Sequence, residues 1–201
     1  MIITRLERER NNSKIRIYID DIYAFSLYPK EITKNAIEEN VEIEQDVVRK
    51  LTEIVFKRAR AYAYNLLSRR EYTAAELFNK IQKSGITINL AEIIVGELEK
   101  RGYVNDERFV QRYIENMAGK KSINTIKYVL KNKGIDNEIL ERTISYNQEQ
   151  EKQGIIKILE KKIKNIEEFD GVVKEKLIRH LLYKGFSYLD IQKVLDEYYK
   201  Q

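Results

Sequence analysis

A glycine ends three similar segments, and its recurrence constrains the fold more than any other feature of the sequence. The segments are LFNKIQKSGI, IKYVLKNKGI and LIRHLLYKGF, and their glycines, Gly85, Gly134 and Gly185, lie 49 and 51 residues apart. Each segment has an apolar residue eight positions before the glycine, another four before it and a third directly after it. This spacing predicts one apolar helical face followed by a left-handed residue that ends the helix. Three copies at this interval predict a three-helix repeat.

Helix-starting residues and a repeated tyrosine support the repeat. The candidate starts are Thr73 with Glu76 as a capping box, Asp106, Ser122, Asp136 and Ser187. Tyr64 and Tyr113 each lie 21 residues before a glycine. A ring at the same position in two repeats favours packing between helices over base stacking.

The chain before Pro29 has a different periodicity. In KIRIYID, Lys14 to Asp20, isoleucine alternates with polar or amphipathic residues, which is the pattern of a half-buried strand. ITRLERE and IYAFSLY can pair with it, through turns at Asn11–Ser13 and Asp20–Asp21. We therefore predict a small β-hairpin or three-stranded meander. Beyond Pro29 the period is helical, and EQDVVRKLTEIVFKRARAYAYNLLSRR is expected to form one long helix or two broken ones.

The predicted fold class is mainly α, with three tandem three-helix repeats forming an elongated, curved array behind the small N-terminal β element. The expected divisions are 1–45 for the β extension and a short helix, 46–102 for the first repeat, 103–148 for the second and 149–201 for the third. Arrays of this kind bury their cores between neighbouring repeats and offer an extended surface, which suits a long, repetitive partner.

Composition argues against most catalytic chemistry. The 201 residues include no cysteine and one histidine, His180, so a disulfide framework, a thiol nucleophile and a thiolate metal site are excluded. The sequence contains no glycine-rich nucleotide loop. We therefore expect no enzyme, no cofactor and no metal, with His180 structural. No apolar run approaches the length of a membrane span and no signal peptide is evident, so a cytoplasmic location without membrane contact is expected.

Two windows of the chain are strongly basic, although the net charge is only +5. Lys57 to Lys83 contains seven Lys/Arg and two acids, and Lys100 to Lys133 contains nine and three. Lys127 and Lys131 are one helical turn apart, on a face opposite Ile126, and could contact successive phosphates or carboxylates. The alternative is that these lysines only solubilise the outer face of the protein.

Two segments resemble the signatures of the RecX family of regulatory proteins. ELEKRGYVNDERFVQRYI matches one through Arg101, Gly102, Tyr103, Asp106, Phe109 and Tyr113. LLSRREYTAAELFNKIQKSGI matches another through Leu67, Arg70, Thr73, Glu76, Leu77 and Lys80. The C-terminal LIRHLLYKGFSYLDIQKVL is similar to the third module of that family. Lys120 to Ile123 departs from the family's Gly-Pro-like turn.

The resemblance implies a bacterial cytoplasmic protein, a monomer, that binds the RecA recombinase filament along its groove. It also implies that the protein restrains filament extension, ATP hydrolysis, strand exchange and co-protease activity. Single- and double-stranded DNA are expected partners, directly or through RecA. By hypothesis, the residues that contact acidic RecA surface or DNA phosphate are Arg69, Arg70, Lys80, Arg108, Arg112, Lys127 and Lys131.

Two other functions stay open at this point. A stand-alone helical DNA-binding protein or transcription regulator would bind duplex DNA without RecA. A metal-dependent nuclease would need paired acids and a lysine, for which Glu160-x-Lys162 is the nearest match in the sequence.

Overall fold

The structure is a computed structural model that describes residues 1–9, 13–145, 148–162 and 171–198. These residues form four strands and ten helices, which confirms a mainly helical fold with a small N-terminal antiparallel sheet. The strands are β1 Ile2–Arg8, β2 Ile15–Ile19, β3 Ile22–Leu27 and β4 Val41–Glu42. The helices are α1 Pro29–Lys34, α2 Gln45–Leu67, α3 Ala74–Gln82, α4 Ile88–Lys100, α5 Asp106–Met117, α6 Ile123–Asn132, α7 Asn137–Thr143, α8 Gln148–Lys162, α9 Gly171–Tyr183 and α10 Tyr188–Tyr198.

The sheet has the antiparallel order β3-β2-β1-β4. Ile17 and Ile19 are buried as the alternation predicts, and Asp20 and Asp21 both have positive φ, the conformation of a two-residue hairpin turn. The turn predicted at Asn11 and Asn12 lies outside the described residues. The fourth strand, β4, was not predicted, because two residues are too short to show a period.

The chain divides into two compact units, residues 1–105 and 106–201. In the first unit the sheet and α2–α4 share one core, which includes Ile3, Phe25, Leu51 and Leu77. α2 is a single unbroken helix of 23 residues. In the second unit, α5–α7 and α8–α10 form separate cores. The four predicted divisions of the chain stay a prediction.

The three repeated glycines end helices as predicted. Gly85, Gly134 and Gly185 have φ of +90°, +80° and +88°. After two of them, the N–H of the next residue reaches back five positions to a carbonyl oxygen, Ile135 to Leu130 and Phe186 to Leu181, each at 3.2 Å. This is the bonding of a Schellman helix end. The apolar residue after each glycine is buried.

Most predicted helix starts are confirmed. The side chains of Thr73, Ser122, Asp136 and Ser187 each accept a backbone N–H of the first turn, at 2.7 to 3.2 Å. The predicted start at Asp106 is the first residue of α5. Its carboxylate lies in the first helical turn, where the helix dipole favours negative charge.

A polar seam joins the two cores of the second unit. The Ser122 N–H donates to the carbonyl of Lys184 at 3.1 Å, directly before Gly185. Glu151 on α8 accepts the Ile123 N–H at 2.5 Å, at the start of α6. One main-chain hydrogen bond therefore joins the end of α9 to the start of α6, and a buried carboxylate joins α8 to the same helix start.

The pH dependence of this seam is predictable from Glu151. Burial raises the pKa of its carboxyl above the ordinary 4.5, and the charge of Asp190 acts in the same direction, whereas the Ile123 N–H opposes it. The stability that protonated Glu151 gives the native state is therefore lost as pH rises from about 4.5 through the raised pKa. Glu151→Gln keeps an acceptor oxygen without the charge. We expect urea unfolding to show the variant gaining stability relative to the wild type between pH 4.5 and 7, with no trend below. A wild type that gains on the variant over that range would contradict this prediction.

Candidate partner-binding surface

The seven predicted binding residues fall into two groups, one in each compact unit. Arg69, Arg70 and Lys80 lie after α2 and on α3, and the remaining four lie on α5 and α6. The exposed members are Arg69, Arg70, Lys80, Arg112 and Lys131, and Arg108 and Lys127 are half-buried. Each unit therefore presents basic side chains to solvent.

Arg70 is held in place by its neighbours. Its guanidinium lies 3.7 Å from the ring centroid of Tyr72, and its Nη1 lies 3.4 Å from Glu76 Oε2. The cation–π contact fixes the orientation of the side chain, and the distant carboxylate neutralises only part of its charge. Arg70 therefore presents an oriented donor at the end of α2.

Lys127 and Lys131, which lie one helical turn apart on α6, have different surroundings. Lys127 Nζ donates to both carboxylate oxygens of Glu141 on α7, at 3.1 and 3.3 Å. Lys131, one turn later, is exposed. Tyr128 lies between them with 67% of its surface exposed. Because α7 supplies a carboxylate to one lysine only, Lys131 and Tyr128 are the more available pair.

Lys80 belongs to a basic cluster that the sequence did not reveal. A cavity of about 410 Å³ in the first unit is lined by Lys14, Tyr28, Arg58, Tyr62, Lys80, Lys83 and Ser84. We call it the basic cavity. Its cations come from the residue before β2, from α2 and from the end of α3. Only the packing of α2 and α3 against the sheet brings these segments together, so no local pattern could have shown it.

Arg58 lines the basic cavity and is anchored by several contacts. Its Nη1 lies 2.8 Å from both carboxylate oxygens of Glu31, and its Nη2 donates to the Ser26 carbonyl at 2.7 Å. Its guanidinium also lies 4.8 Å from the ring centroid of Tyr28. These contacts tie α2 to α1 and to the sheet, and they fix the cation in one position.

Lys14 is the buried cation of the basic cavity. Its side chain is 6% exposed, and its Nζ donates to the Ser84 carbonyl at the end of α3. The adjacent Ser26 N–H donates to the Gly85 carbonyl at 3.0 Å. Burial lowers the pKa of the Lys14 ammonium, and the charge of Arg58 lowers it further, while Glu9 and Glu31 partly offset both effects.

Lys80 and Lys83 complete the basic cavity from its rim. Both side chains are exposed, and neither has a carboxylate within ion-pair distance among the residues that the structure describes. Their long stems leave the two ammonium groups free to move. The cavity thus combines two fixed cations with two adjustable ones.

The described residues contain no candidate metal centre. No group of three metal-ligating side chains occurs among them. His180 is half-buried on α9, and burial followed by the charges of Lys162 and Lys184 lowers its pKa. Glu160 and Lys162 are both exposed on α8. None of the described helices has the length and apolar character needed to span a bilayer.

Helices that end at left-handed glycines, a small sheet that shares the first core and basic side chains in both units define a mainly helical protein with an N-terminal antiparallel sheet. The chain belongs to the RecX family. A relative from Caldanaerobacter subterraneus subsp. tengcongensis, named "Regulatory protein RecX", is 30% identical over 98% of this chain and 99% of its own length. The relative of the same name from Clostridium tetani is 28% identical over 97% of this chain and 93% of its own length.

Further comparisons agree with this membership. A family model described as "RecX, third three-helix domain" matches residues 149–195. The crystal structure titled "Crystal structure of regulatory protein RecX" aligns over 97% of this chain and 98% of its own, with a TM-score of 0.63 at 18% identity. The structure of RecX from Lactobacillus salivarius covers 72% of this chain and 97% of its own, with a TM-score of 0.62 at 26% identity. The first of these two crystal structures, at 18% identity, shows a shared fold. The relatives from Caldanaerobacter subterraneus and Clostridium tetani are named as regulatory proteins.

Proposed function

We propose that this chain is a non-enzymatic regulator of the RecA recombinase. It binds along the groove of the RecA–DNA filament and restrains filament extension, ATP hydrolysis, strand exchange and co-protease activity. The observation that carries the proposal is the match, over nearly the whole length of both chains, to relatives named "Regulatory protein RecX". The exposed cations in both units support it, because a filament of RecA and DNA offers phosphates along its length.

The proposal assigns the contacts to seven side chains. These are Arg69, Arg70, Lys80, Arg108, Arg112, Lys127 and Lys131, which meet acidic RecA surface or DNA phosphate. We divide the chain into an extension at 1–45 and three repeats at 46–102, 103–148 and 149–201. Successive repeats along the chain contact successive protomers along the filament. Linked units raise the effective concentration of each other, so individually weak contacts add up to firm binding.

The test of the regulatory role is the single-stranded-DNA-dependent ATPase rate of the cognate RecA, titrated with this protein well below one copy per RecA. We expect inhibition at these substoichiometric amounts, because one bound chain affects the growth of a filament of many protomers. A parallel DNA-binding assay without RecA at two salt concentrations is the control. An unchanged ATPase rate together with tight, salt-dependent DNA binding would instead favour a stand-alone DNA-binding protein.

Charge reversal tests the assigned surface. We expect the combined variant Arg69→Glu, Lys80→Glu, Arg112→Glu and Lys131→Glu to require at least about tenfold more protein for half-inhibition. Four contacts of about 0.5 kcal/mol each give about 2 kcal/mol, and a tenfold change needs about 1.4 kcal/mol. The measurement is the same ATPase titration.

A second quadruple variant controls for net charge. Reversal of Lys50, Lys100, Lys161 and Lys176, which are also exposed, changes the net charge by the same amount. We expect this control to inhibit close to the wild-type level. Equal loss in both variants would mean that only net charge matters and would reject the assigned residues.

A further inference from the structure

We propose that the basic cavity binds the phosphate backbone of single-stranded nucleic acid directly, without RecA. This inference goes beyond the regulatory role, because nucleic acid can occupy the cavity whether or not the filament is present. Only Lys80 of the cavity belongs to the predicted binding residues. The other cationic lining residues are Lys14, Arg58 and Lys83.

The charge of the lining points to an anion. The basic cavity is lined by four cationic side chains and no carboxylate. Three other concavities on the described part of the chain each have at least one acidic lining residue, such as Glu9 in the first, Glu151 in the second and Asp190 in the third. Glu31 lies behind Arg58 and neutralises it. Glu9 and Glu31 offset part of the charge of Lys14 as well, so the uncompensated positive charge around the opening belongs mainly to Lys80 and Lys83.

The hydrogen bonds of Lys14 agree with this assignment. A lysine ammonium has three donors, and Lys14 uses one of them on the Ser84 carbonyl. The remaining donors are part of a side chain that lines the cavity. Because Lys14 is fixed by packing, it loses little conformational freedom when an anion arrives. Lys80 and Lys83 at the rim can then close on further oxygens of the same backbone.

The free protein bears an electrostatic cost at this position. Lys14 is buried next to the like charge of Arg58, and both effects lower its pKa. A phosphodiester beside the ammonium would favour the charged form and relieve that cost. Such a gain is available only to a ligand that stays ionised at neutral pH.

Two tyrosines at the same cavity favour single-stranded nucleic acid over an acidic protein surface. Tyr28 and Tyr62 line the cavity and are 37% and 38% exposed. Exposed aromatic rings beside a basic groove accept unpaired bases, at about 1 to 3 kcal/mol per stacked base. The bases of a duplex are already stacked on each other, and a patch of carboxylates has no planar group that can use the rings.

The experiment is fluorescence anisotropy of a labelled oligothymidylate with the full chain, without RecA, over a series of salt concentrations. We expect Lys80→Ala/Lys83→Ala to weaken binding about tenfold and to reduce the salt slope of log K by about 1.4, which is two contacts at about 0.7 each. Tyr62→Ala should weaken binding with an unchanged salt slope. The matched control is Lys50→Ala/Lys100→Ala, two exposed lysines of the same unit, which should bind like the wild type.

Two outcomes would overturn the inference. The first is no binding of the oligonucleotide by the wild type at low salt, and the second is an unchanged affinity and slope in the Lys80/Lys83 variant. If the variant of the second outcome also loses RecA inhibition, the cavity is assigned instead to acidic side chains of a protein. Because the RecA ATPase titration of the wild type is a separate measurement, failure here leaves the regulatory proposal testable by itself.

Discussion

Gly185→Ala should lower the free energy of unfolding of the second unit by about 3 kcal/mol. Gly185 has a φ of +88°, where a residue with a Cβ is strained by about 1 to 2 kcal/mol. The new Cβ would also lie 2.7 Å from Ser122 Oγ and would collide with Thr125 Oγ1. Forcing apart well-packed atoms costs about 1 to 3 kcal/mol more. Urea unfolding measures the change in free energy. Hydrogen exchange of the α6 and α9 amides measures the same effect locally.

A glycine of the same unit provides the control for Gly185→Ala. Gly119 also has a positive φ, +69°, but its added Cβ would meet the flexible Lys157 side chain, at 3.2 Å from Cδ. Because Lys157 can move, we expect Gly119→Ala to cost only the backbone strain, about 1 to 2 kcal/mol. The difference between the two variants isolates the collision at the seam.

A double-mutant cycle identifies the atom responsible. In a Thr125→Ala background the nearest obstructing oxygen is gone, so Gly185→Ala should cost less than it does in the wild type. Additive effects of the two substitutions would contradict the proposed collision. Under the proposed function, Gly185→Ala should also weaken inhibition of the RecA ATPase, because the seam joins the α5–α7 and α8–α10 cores.

Arg58→Met should destabilise the first unit by about 2 kcal/mol. The substitution keeps an unbranched side chain but leaves the Glu31 carboxylate and the Ser26 carbonyl without their donor. Breaking a buried ion pair costs about 3 to 5 kcal/mol, and the expected value is lower because both partners are 25% exposed. Thermal unfolding with probes in the sheet and in α2 measures the loss.

The adjacent residue is the control for Arg58→Met. Lys57 pairs with Glu53 at 2.7 Å on the same helix, but their side chains are 70% and 61% exposed. Since water screens this pair, Lys57→Met should leave the unfolding midpoint nearly unchanged. Equal destabilisation by both substitutions would indicate a helix-propensity effect and would contradict the role assigned to Arg58.

The sequence predicted the features that depend on near neighbours. Helical faces, strand alternation, caps and glycine stops are set by residues within a few positions of each other, so Gly85, Gly134 and Gly185 could be assigned without coordinates. Lys127 shows the limit of this reasoning, because its carboxylate partner Glu141 lies on a different helix.

The sequence by itself determined the helical class, the glycine period and the family resemblance, which are properties of local order along the chain. Only the tertiary structure decided that Lys14 would be buried beside Arg58, and that both would lie in one cavity with Lys80 and Lys83. These residues are separated by up to 69 positions in the chain. They meet because burial of the shared apolar core draws the sheet, α2 and α3 together, and the polar groups follow.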